Sequence, residues 1–340
     1  LEEIPAVQRS FADAARRAAE AGFDGVEVLG SAGYLISQFL SPVTNQREDE
    51  YGGSFENRAR FGREVVEQVR AAVGDKVGVV VRVAGSDYMP GSHGSDESAA
   101  ASAIFEAAGA DAINVTGGWH ETRVPQLSMG VPRGAYLYLA RRIREEVSVP
   151  VMASNRISDP RQAEAALRDG VADLINLGRP LIADPELPLK VQAGNLDRVV
   201  HCVACNQGCF DHVFKGMPVA CMVNPRAGKE AARQVDQAHD KKRVLVVGGG
   251  PAGMMAAATA ARRGHEVTLM ERSRHLGGQL LLAGATQDRR ELLTVVLDLE
   301  QGLNESGAEV RLGVKATPEI IAAQAADQVI LATGARPVGA

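Results

Sequence analysis

Short apolar segments alternate with amphipathic helical segments over the first 180 residues, and this alternation constrains the fold more than any other feature. A helical segment at 7–21 places Val7 and Phe11 on one face and ends at Gly22. Short, continuously apolar strands separated by helices are typical of a parallel sheet with both faces covered. The sequence therefore predicts an α/β fold. The predicted strands are 23–30, 77–85, 111–118, 149–156 and 172–180.

Five strand–helix units fit either an open, doubly wound sheet or part of a closed (β/α)8 TIM barrel. A barrel builds its site from the carboxyl ends of all its strands, whereas an open sheet uses that edge mainly at one switch point. Polar or glycine residues stand near the carboxyl end of every predicted strand, which favours the barrel. The five would be strands four to eight, with about three more expected before residue 1. The residues at the strand ends are Tyr34, Arg82, His120, Asn155, Arg156, Gly178 and Arg179.

A second pattern of strand, glycine-rich turn, helix and strand begins after a charged linker at 227–242. In the turn, Gly248, Gly250 and Gly253 form a G-x-G-x-x-G motif directly after the first strand. Glu271 closes the next strand, 23 residues after the first of these glycines. Such glycines let the backbone approach a pyrophosphate at a helix N-terminus, and such an acid accepts hydrogen bonds from a ribose. The pattern predicts a dinucleotide site.

All the cysteines of the chain lie in one short segment, with the spacing C-x2-C-x3-C-x11-C. Such clustering is unlike the dispersed pairs of a disulfide scaffold and indicates reduced thiols at a metal site. Four thiolates suit either tetrahedral zinc or an iron–sulfur cluster. The spacing is unlike that of a zinc knuckle and favours a cluster, with His201 and His212 outside the ligand set. The ligands would be Cys202, Cys205, Cys209 and Cys221.

Composition argues against some classes of partner. The 340 residues are 45% hydrophobic and 23% charged, with a formal net charge of −5. A mildly acidic balance argues against nucleic acid or an anionic membrane as a partner. No uninterrupted apolar run approaches the roughly 20 residues needed to span a bilayer. Neither nucleic acid nor a membrane is therefore expected as a partner, and the reduced thiols indicate a cytoplasmic protein.

The segment GFDGVEVLGSAGYL, at the start of 22–61, the segment GWHETRVPQLSMGVPRGAY, at 118–136, and the cysteine spacing all carry a family resemblance. They resemble the Old Yellow Enzyme or NADH:flavin oxidoreductase family, in particular its bacterial 2,4-dienoyl-CoA reductase branch with trimethylamine dehydrogenase-like architecture. The segments 275–280 and 329–337 resemble the FAD-binding half of two-dinucleotide-domain flavoproteins. Such proteins continue on both sides, so we expect the chain to be incomplete at both ends.

The resemblance implies three bound groups. FMN would lie in the C-terminal part of a barrel at 1–195, a [4Fe-4S] cluster at 196–226, and FAD in the dinucleotide domain that begins at 243 and runs to 340. NADPH or NADH would donate electrons, which would pass through FAD and the cluster to FMN. They would leave as hydride to an enoyl- or 2,4-dienoyl-CoA-type alkene, as in fatty acid metabolism. The resemblance thus implies an NAD(P)H-dependent flavin oxidoreductase.

The resemblance also implies roles for individual residues. Hydride transfer to a conjugated system leaves an enolate, which a nearby acid must protonate. Tyr34 matches the proton donor of the family, and His120 matches its partner. Arg82 matches the cation at the pyrimidine edge of the flavin, and its charge within an apolar strand needs an anionic partner. The other implied contacts are Asn155, Arg156, Gly178 and Arg179 for the FMN phosphate, Gly278 and Gln279 for FAD, and Arg133 for the substrate.

One departure from this branch keeps other substrates open. Its members carry an acid two residues before the tyrosine, where this chain has Ala32, so a related activated alkene is an alternative. An amine dehydrogenase or N-demethylase that passes electrons to a partner flavoprotein is a second alternative. It favours an aromatic cage, whereas aromatics make up 4% of the chain and Trp119 is the sole tryptophan. A third is a zinc-stapled nucleotide-binding protein. The oligomeric state is left open.

Overall fold

The computed structural model describes residues 1–335 and contains two compact units. The first comprises residues 1–127 and 131–177, and the second comprises 128–130 and the chain from Gly178 onward. The segment 329–337, which resembles FAD-binding proteins, extends two residues beyond the described part of the chain. Among the described residues, no helix is both long and apolar enough to cross a bilayer.

In the first unit, strands and helices alternate as the sequence predicts. Ser54 caps α3, its Oγ accepting the N–H of Asn57 at 3.3 Å, and Asp159 caps α6, whose first residue is Pro160. The helices are α1 (Ile4–Glu20), α2 (Leu35–Leu40), α3 (Phe55–Val73), α4 (Ser95–Ala107), α5 (Leu137–Arg144) and α6 (Pro160–Arg168). The strands are β1 (Gly25–Gly30), β2 (Gly78–Ala84), β3 (Ala112–Thr116), β4 (Val151–Ala153) and β5 (Leu174–Ile175).

The sheet of the first unit is parallel, and each strand pairs with the next strand along the chain, in the order β1-β2-β3-β4-β5. The helices pack in the same succession, α1 on α3, α3 on α4 and α4 on α5, and form one layer. An open, doubly wound sheet would reverse its strand order at a switch point. The observed order agrees with barrel-type winding, in which right-handed crossovers place every helix on the same side. Closure of the sheet into a barrel stays a prediction.

The two faces of this sheet differ in burial. Val79, Val81 and Val83 of β2 are at most 3% exposed, and they join a core that includes Val65 of α3 and Phe105 of α4. Because successive side chains of a strand alternate between faces, the residues between these valines point to the other side of the sheet. This second face, called the open face below, carries the exposed or partly exposed Glu27, Leu29, Arg82 and Met152 and the buried Asn114.

The last two strands of the first sheet are shorter than predicted. The predicted 149–156 is reduced to β4, and the predicted 172–180 is reduced to β5. Asn155 and Arg156 have φ angles of 65° and 57°, and a left-handed backbone cannot continue a strand. The chain therefore leaves the sheet at the residues predicted to carry function.

The second unit begins with short helices around the cysteine segment and continues as a second parallel sheet with helices. The linker predicted at 227–242 contains neither helix nor strand. The helices are α7 (Arg179–Ala183), α8 (Leu187–Gln192), α9 (Phe210–Phe214), α10 (Pro251–Arg262), α11 (Gln279–Ala283), α12 (Leu292–Asn304) and α13 (Pro318–Ala323). The strands are β6 (Arg243–Val247), β7 (Glu266–Glu271), β8 (Glu309–Leu312) and β9 (Gln328–Leu331).

The strand order of the second sheet is β8-β7-β6-β9, with all pairs parallel. The order reverses between β6 and β9, so this sheet is of the doubly wound kind and has its switch point at the end of β6. Its core is formed by Val246, Met254, Leu269 and Leu303, which are fully buried. The glycine-rich turn lies at the switch point, where open α/β sheets bind their ligands.

The turn between β6 and α10 requires two of its three motif glycines for packing. Gly248 has a φ of +111°, and a Cβ there would lie 2.3 Å from the carbonyl oxygen of Ala332. A Cβ at Gly253 would lie 1.8 Å from the carbonyl oxygen of Gly248, because α10 packs directly on the turn. A Cβ at Gly250 would meet no atom within 4 Å. The middle glycine therefore faces open space.

We expect Gly253→Ala to lower the free energy of unfolding by about 3 kcal/mol, because the added Cβ must displace the backbone of Gly248. Gly250→Ala is the matched control. Its φ of −75° suits alanine, so its cost should stay below about 1 kcal/mol. Urea unfolding followed by circular dichroism measures both changes. Equal stability of the two variants would contradict the packing described for this turn.

Candidate functional site

Tyr34 and His120 lie together at the carboxyl edge of the first sheet. Tyr34 follows β1 and directly precedes α2, and His120 follows β3. Their ring centroids are 5.5 Å apart, with the ring planes at 83°. Tyr34 is 49% exposed, so its phenol is open to a ligand. The two residues predicted as proton donor and partner are therefore neighbours.

A backbone bridge between Ala32 and Trp119 holds the two loops together. Trp119 is 5% exposed and packs against Gly33, where a Cβ would lie 3.1 Å from the indole ring. Gly33 has a φ of +87°, and its N–H donates to Ser37 Oγ at 3.0 Å. Both the left-handed backbone and the nearby indole favour glycine at the position before Tyr34.

The connection after β2 braces the loop that carries His120. The carbonyl oxygen of Ser86 accepts a hydrogen bond from the N–H of Gly118 at 2.8 Å. The Thr122 hydroxyl donates to the carbonyl oxygen of Tyr88 at 2.7 Å. Because these contacts fix the chain on both sides of His120, the imidazole is held in place beside the tyrosine.

Arg82 lies on the open face of the sheet and is paired with an acid from the neighbouring strand. Its Nε lies 2.8 Å from Oε1 of Glu27, although the N–H is not directed well enough for a hydrogen bond. The contact is therefore an ion pair. Asn114 on β3 donates to the other carboxylate oxygen at 2.5 Å. Within the protein, Glu27 is an anionic partner of Arg82, and the contact of Arg82 with a flavin stays a prediction.

Buried polar atoms without a hydrogen-bond partner in the described part of the chain occur on this face and at its edge. Besides Arg82 Nε, they include Ser31 Oγ directly after β1, Asn114 Oδ1 within β3 and Trp119 Nε1 in the loop after β3. A buried polar atom without a partner costs free energy, so each one needs an explanation such as a bound ligand or water. The atoms fit a ligand with a polar rim, such as the isoalloxazine of FMN.

The residues that follow β4 form hydrogen bonds within the protein itself. Arg156 is 4% exposed, and its Nε donates to the carbonyl oxygen of Val131 at 2.8 Å. The side-chain oxygen of Asn155 accepts a hydrogen bond from Ser154 at 3.0 Å. Arg133 lies in the connection between β3 and α5 and is partly buried. Arg156 thus supports that connection, and contacts of these residues with phosphate or substrate stay predictions.

Gly178 and Arg179 belong to the second unit, at the start of α7. Arg179 donates from Nη1 to Oδ1 of Asn206 at 2.7 Å, and its guanidinium lies 5.9 Å from the ring centroid of Phe210. It also lines the cavity formed by the cysteines. The residues predicted for the FMN phosphate are divided between the two units, so their assembly into one site stays a prediction.

All the cysteines line one cavity in the second unit. Ala204 and Asn206 have left-handed φ angles of 51° and 61°, so the chain turns tightly between the first three thiols. The N–H of Ala220 donates to the carbonyl oxygen of Gly208 at 2.7 Å, and a Cβ at Gly208 would lie 2.5 Å from the carbonyl oxygen of Ala220. This close contact brings the last thiol back to the others. The four are Cys202, Cys205, Cys209 and Cys221.

The thiols are partly buried and lie close to backbone N–H groups. Burial raises the pKa of Cys205 and Cys221, and backbone N–H groups, including those of Gln207 and Val223, oppose the rise. Such N–H donors also tune sulfur ligands of iron–sulfur clusters. Among the described residues, no group of three or more His, Cys, Asp and Glu side chains is placed to hold a metal ion, so the ligand role of the cysteines stays a prediction.

Two carboxylates, one buried and one partly buried, hold the chain that leads into the cysteines. Asp184 is 3% exposed and accepts the N–H of Val200 at 2.8 Å and the ammonium of Lys190 at 2.7 Å. Asp298 on α12 accepts the N–H of His201 at 2.8 Å through Oδ2, and its Oδ1 lies 3.0 Å from Nδ1 of that histidine. Both the backbone N–H and the ring Nδ1 of His201 therefore contact Asp298.

The second sheet places Glu271 beside the glycine-rich turn. The N–H of Gly249 donates to Oε2 at 2.7 Å, and the N–H of Ser273 donates to Oε1 at 2.8 Å. Burial alone would raise the pKa of Glu271, but these hydrogen bonds outweigh it, so the pKa is lowered. An ionised carboxylate keeps further lone pairs free, as acceptance of ribose hydroxyl hydrogen bonds requires.

Gly278 and Gln279 lie next to the same turn. A Cβ at Gly278 would lie 3.1 Å from Cα of Gly250, and the Gln279 amide donates to the carbonyl oxygen of Ala335. The residues predicted for the dinucleotide therefore come together around the N-terminus of α10. With open space at Gly250 and an ionised Glu271, the arrangement fits a pyrophosphate-containing dinucleotide.

Glu27, Asn114 and Asp298 contribute to these sites although they were not predicted from the sequence. A signal existed for the first two, because each is a polar residue inside an otherwise apolar strand. Side chains two residues apart along a strand share a face, so the sequence of a strand indicates which of its residues lie on the same side of the sheet. Asp298 lies on an amphipathic helix, where an acid normally faces water, so only the fold reveals its contact with His201.

Two family models match the chain. Residues 1–198 match the NADH:flavin oxidoreductase / NADH oxidase family, and residues 243–319 match the FAD dependent oxidoreductase family. The first match contains the sheet with Tyr34, His120 and Arg82, and the second contains the glycine-rich turn. These matches support flavin cofactors in both parts of the chain.

Curated and solved relatives match almost the whole chain. A metal reductase from Desulforamulus reducens is 50% identical over 341 residues, which are 99% of this chain and 51% of that protein. An N,N-dimethylglycine/sarcosine dehydrogenase from Chromohalobacter salexigens is 39% identical over 350 residues, 99% of this chain and 50% of that protein. A solved structure of 2-naphthoyl-CoA reductase with 2-naphthoyl-CoA has a TM-score of 0.95 and 38% identity, covering 100% of this chain and 52% of that chain.

The chain spans about half the length of the relatives that it matches. The family matches and the relatives confirm the resemblance expected from the sequence. From its sheet order, the residues at the carboxyl edge and these matches, the chain belongs to the NADH:flavin oxidoreductase / NADH oxidase family of flavoprotein oxidoreductases.

Proposed function

We propose that this chain forms the flavin and iron–sulfur part of an NAD(P)H-dependent enzyme that reduces an activated alkene, such as an enoyl or dienoyl thioester. The observation that carries the proposal is the Tyr34–His120 pair, with ring centroids 5.5 Å apart at the carboxyl edge of the sheet. An exposed phenol beside an imidazole suits protonation of an enolate. The likeness to a 2-naphthoyl-CoA reductase supports an acyl thioester as the substrate class.

The residues present fit the cofactors that the family implies. The unpartnered buried atoms Ser31 Oγ and Trp119 Nε1 suit the polar rim of FMN. The open space at Gly250 suits the pyrophosphate of FAD, and the cysteine cavity suits a [4Fe-4S] cluster. When bound, these groups would supply hydride transfer from nicotinamide and to the alkene, with single-electron transfer from FAD through the cluster to FMN.

The side chains of the chain itself would bind, orient and protonate the substrate. Tyr34 donates the proton that an enolate requires, and the His120 ring, packed edge-on against it, orients the phenol and restores its proton after turnover. Arg82, paired with Glu27, offers guanidinium N–H donors on the face where negative charge develops. Trp119, buried against Gly33, holds the loop after β3 against the loop after β1.

An amine dehydrogenase or N-demethylase is the second candidate function. It is favoured by the relative that is an N,N-dimethylglycine/sarcosine dehydrogenase. This reaction oxidises a methylated amine, so no enolate forms and no proton donor to carbon is needed. Anaerobic addition of sarcosine to the oxidised protein would bleach the flavin absorbance if this function holds. An enoyl thioester would instead restore the absorbance of NADPH-reduced protein if the first function holds.

We expect Tyr34→Phe to slow reduction of an enoyl thioester by about a hundredfold, because a positioned general acid contributes roughly 10²–10⁴-fold. Reduction of the protein by NADPH should be unchanged, because that half-reaction needs no proton on the alkene carbon. Stopped-flow absorbance of the flavins measures the two half-reactions separately.

Tyr51→Phe is the matched control for this experiment. The Tyr51 hydroxyl donates to Glu64 of α3 at 2.9 Å, away from the carboxyl edge, so both half-reactions should keep their rates. If Tyr34→Phe reduces the thioester as fast as the wild type, Tyr34 is not the proton donor.

We expect protein purified without oxygen to contain about four iron and four sulfide per chain, and Cys205→Ser to lose most of both. His212→Ala is the control in the same segment. Its Nδ1 lies 2.8 Å from the carbonyl oxygen of Pro218, and its removal should leave the iron content unchanged. Elemental and sulfide analysis measures the outcome. Zinc without iron in the wild type would contradict the cluster and favour a zinc-bound nucleotide-binding protein.

A further inference from the structure

Glu27 is an acid on the open face of the first sheet, and its carboxylate contacts side chains from two other strands. Oε1 lies 2.8 Å from Nε of Arg82 on β2. Oε2 accepts a hydrogen bond from Nδ2 of Asn114 on β3 at 2.5 Å. Arg82 and Asn114 are direct partners in the β2–β3 register. One carboxylate on β1 therefore fixes two side chains in a row across three strands.

The two side chains held by Glu27 keep polar groups available for a ligand. The contact of Arg82 with Glu27 uses Nε, which leaves the terminal nitrogens of the guanidinium as donors. Asn114 is 1% exposed, and its Oδ1 has no hydrogen-bond partner in the described part of the chain. Donors and an acceptor on one face match a ring whose rim carries both acceptors and an N–H. The isoalloxazine of a flavin is such a ring.

The charge of Glu27 opposes the charge of Arg82. At a separation of 2.8 Å, the carboxylate cancels much of the field of the guanidinium at longer distances. A ligand on this face would meet a nearly neutral pair instead of a full positive charge. Because reduction adds negative charge to a flavin, nearby protein charge determines how readily the bound ring accepts electrons.

We propose that Glu27 is a positioning residue of the flavin site, which holds Arg82 and Asn114 towards the ring and limits the positive charge that the ring meets. The inference rests on the proposed function, since it requires FMN on this face. A purely structural ion pair is the alternative. It would affect the stability of the sheet and leave the electron affinity of the flavin unchanged.

The test replaces Glu27 by glutamine in the holoenzyme, which removes the charge and keeps the shape of the side chain. We expect Glu27→Gln to favour reduced over oxidised FMN by about tenfold, which is a rise of about 30 mV in a two-electron midpoint potential. Sulfite should also bind more tightly to the oxidised flavin, since it adds to electron-poor rings. Equilibration with a redox dye measures the potential, and the FAD transition serves as an internal reference.

Glu67→Gln is the matched control, because it removes a carboxylate that pairs with Arg63 at 2.6 Å on the helix layer of the same unit. Its flavin potential and sulfite affinity should equal those of the wild type. An unchanged potential in a folded, FMN-containing Glu27→Gln protein would overturn the inference. Failure of the proposed function would appear differently, as an absence of FMN from the wild type.

Glu27→Asp keeps the inference testable if the glutamine variant does not fold. The aspartate retains the charge but is one methylene shorter, so it cannot hold both partners at their present distances. We expect an unchanged midpoint potential together with a weaker hold on FMN, measured as FMN released on dilution. A raised potential, or FMN bound as tightly as in the wild type, would overturn the inference.

Discussion

The parallel pairing of each strand with its successor is the constraint on which the first unit depends. Because these strands all point the same way, their carboxyl ends meet at a single edge, and Tyr34 and His120 become neighbours there although they lie far apart in the chain. The helix layer buries one face of the sheet, so polar side chains that the strands carry must collect on the other. Glu27, Arg82 and Asn114 are found there as a connected row.

Carboxylates that accept backbone N–H groups recur throughout both units. Asp111 accepts the N–H of Val79 at 2.7 Å, and Asp173 accepts that of Val151 at 2.9 Å, where strands of the first sheet begin. In the second unit, Glu271 accepts a backbone N–H of the glycine-rich turn. Asp184 and Asp298 accept the N–H groups of the two residues directly before Cys202. A charge-assisted hydrogen bond to an ionised acceptor is stronger than a neutral one. Charge-assisted hydrogen bonds thus hold the starts of two strands, the glycine-rich turn and the segment that leads into the cysteines.

The elements of the fold and several residues of the site could be predicted because their signals are local. Strand and helix periods, the G-x-G-x-x-G turn with its acid, and the cysteine spacing are each contained in a short stretch. The partner of Arg82 depends on the register of β1 against β2, which pairs Leu29 with Arg82, and no short stretch contains that information. The contact of Asp298 with His201 spans 97 residues. The Nε of Arg156 donates to the carbonyl oxygen of Val131, 25 residues earlier, which the local sequence does not reveal, and its contact with a phosphate stays a prediction.

The cysteine segment owes its shape to contacts in which no metal takes part. Gly208 packs against the backbone of Ala220, and the N–H groups of Val200 and His201 are held by carboxylates. In small zinc domains the metal itself supplies the free energy of folding. Here the polypeptide alone brings the four thiols together, which lowers the conformational entropy that any group bound to them would have to offset.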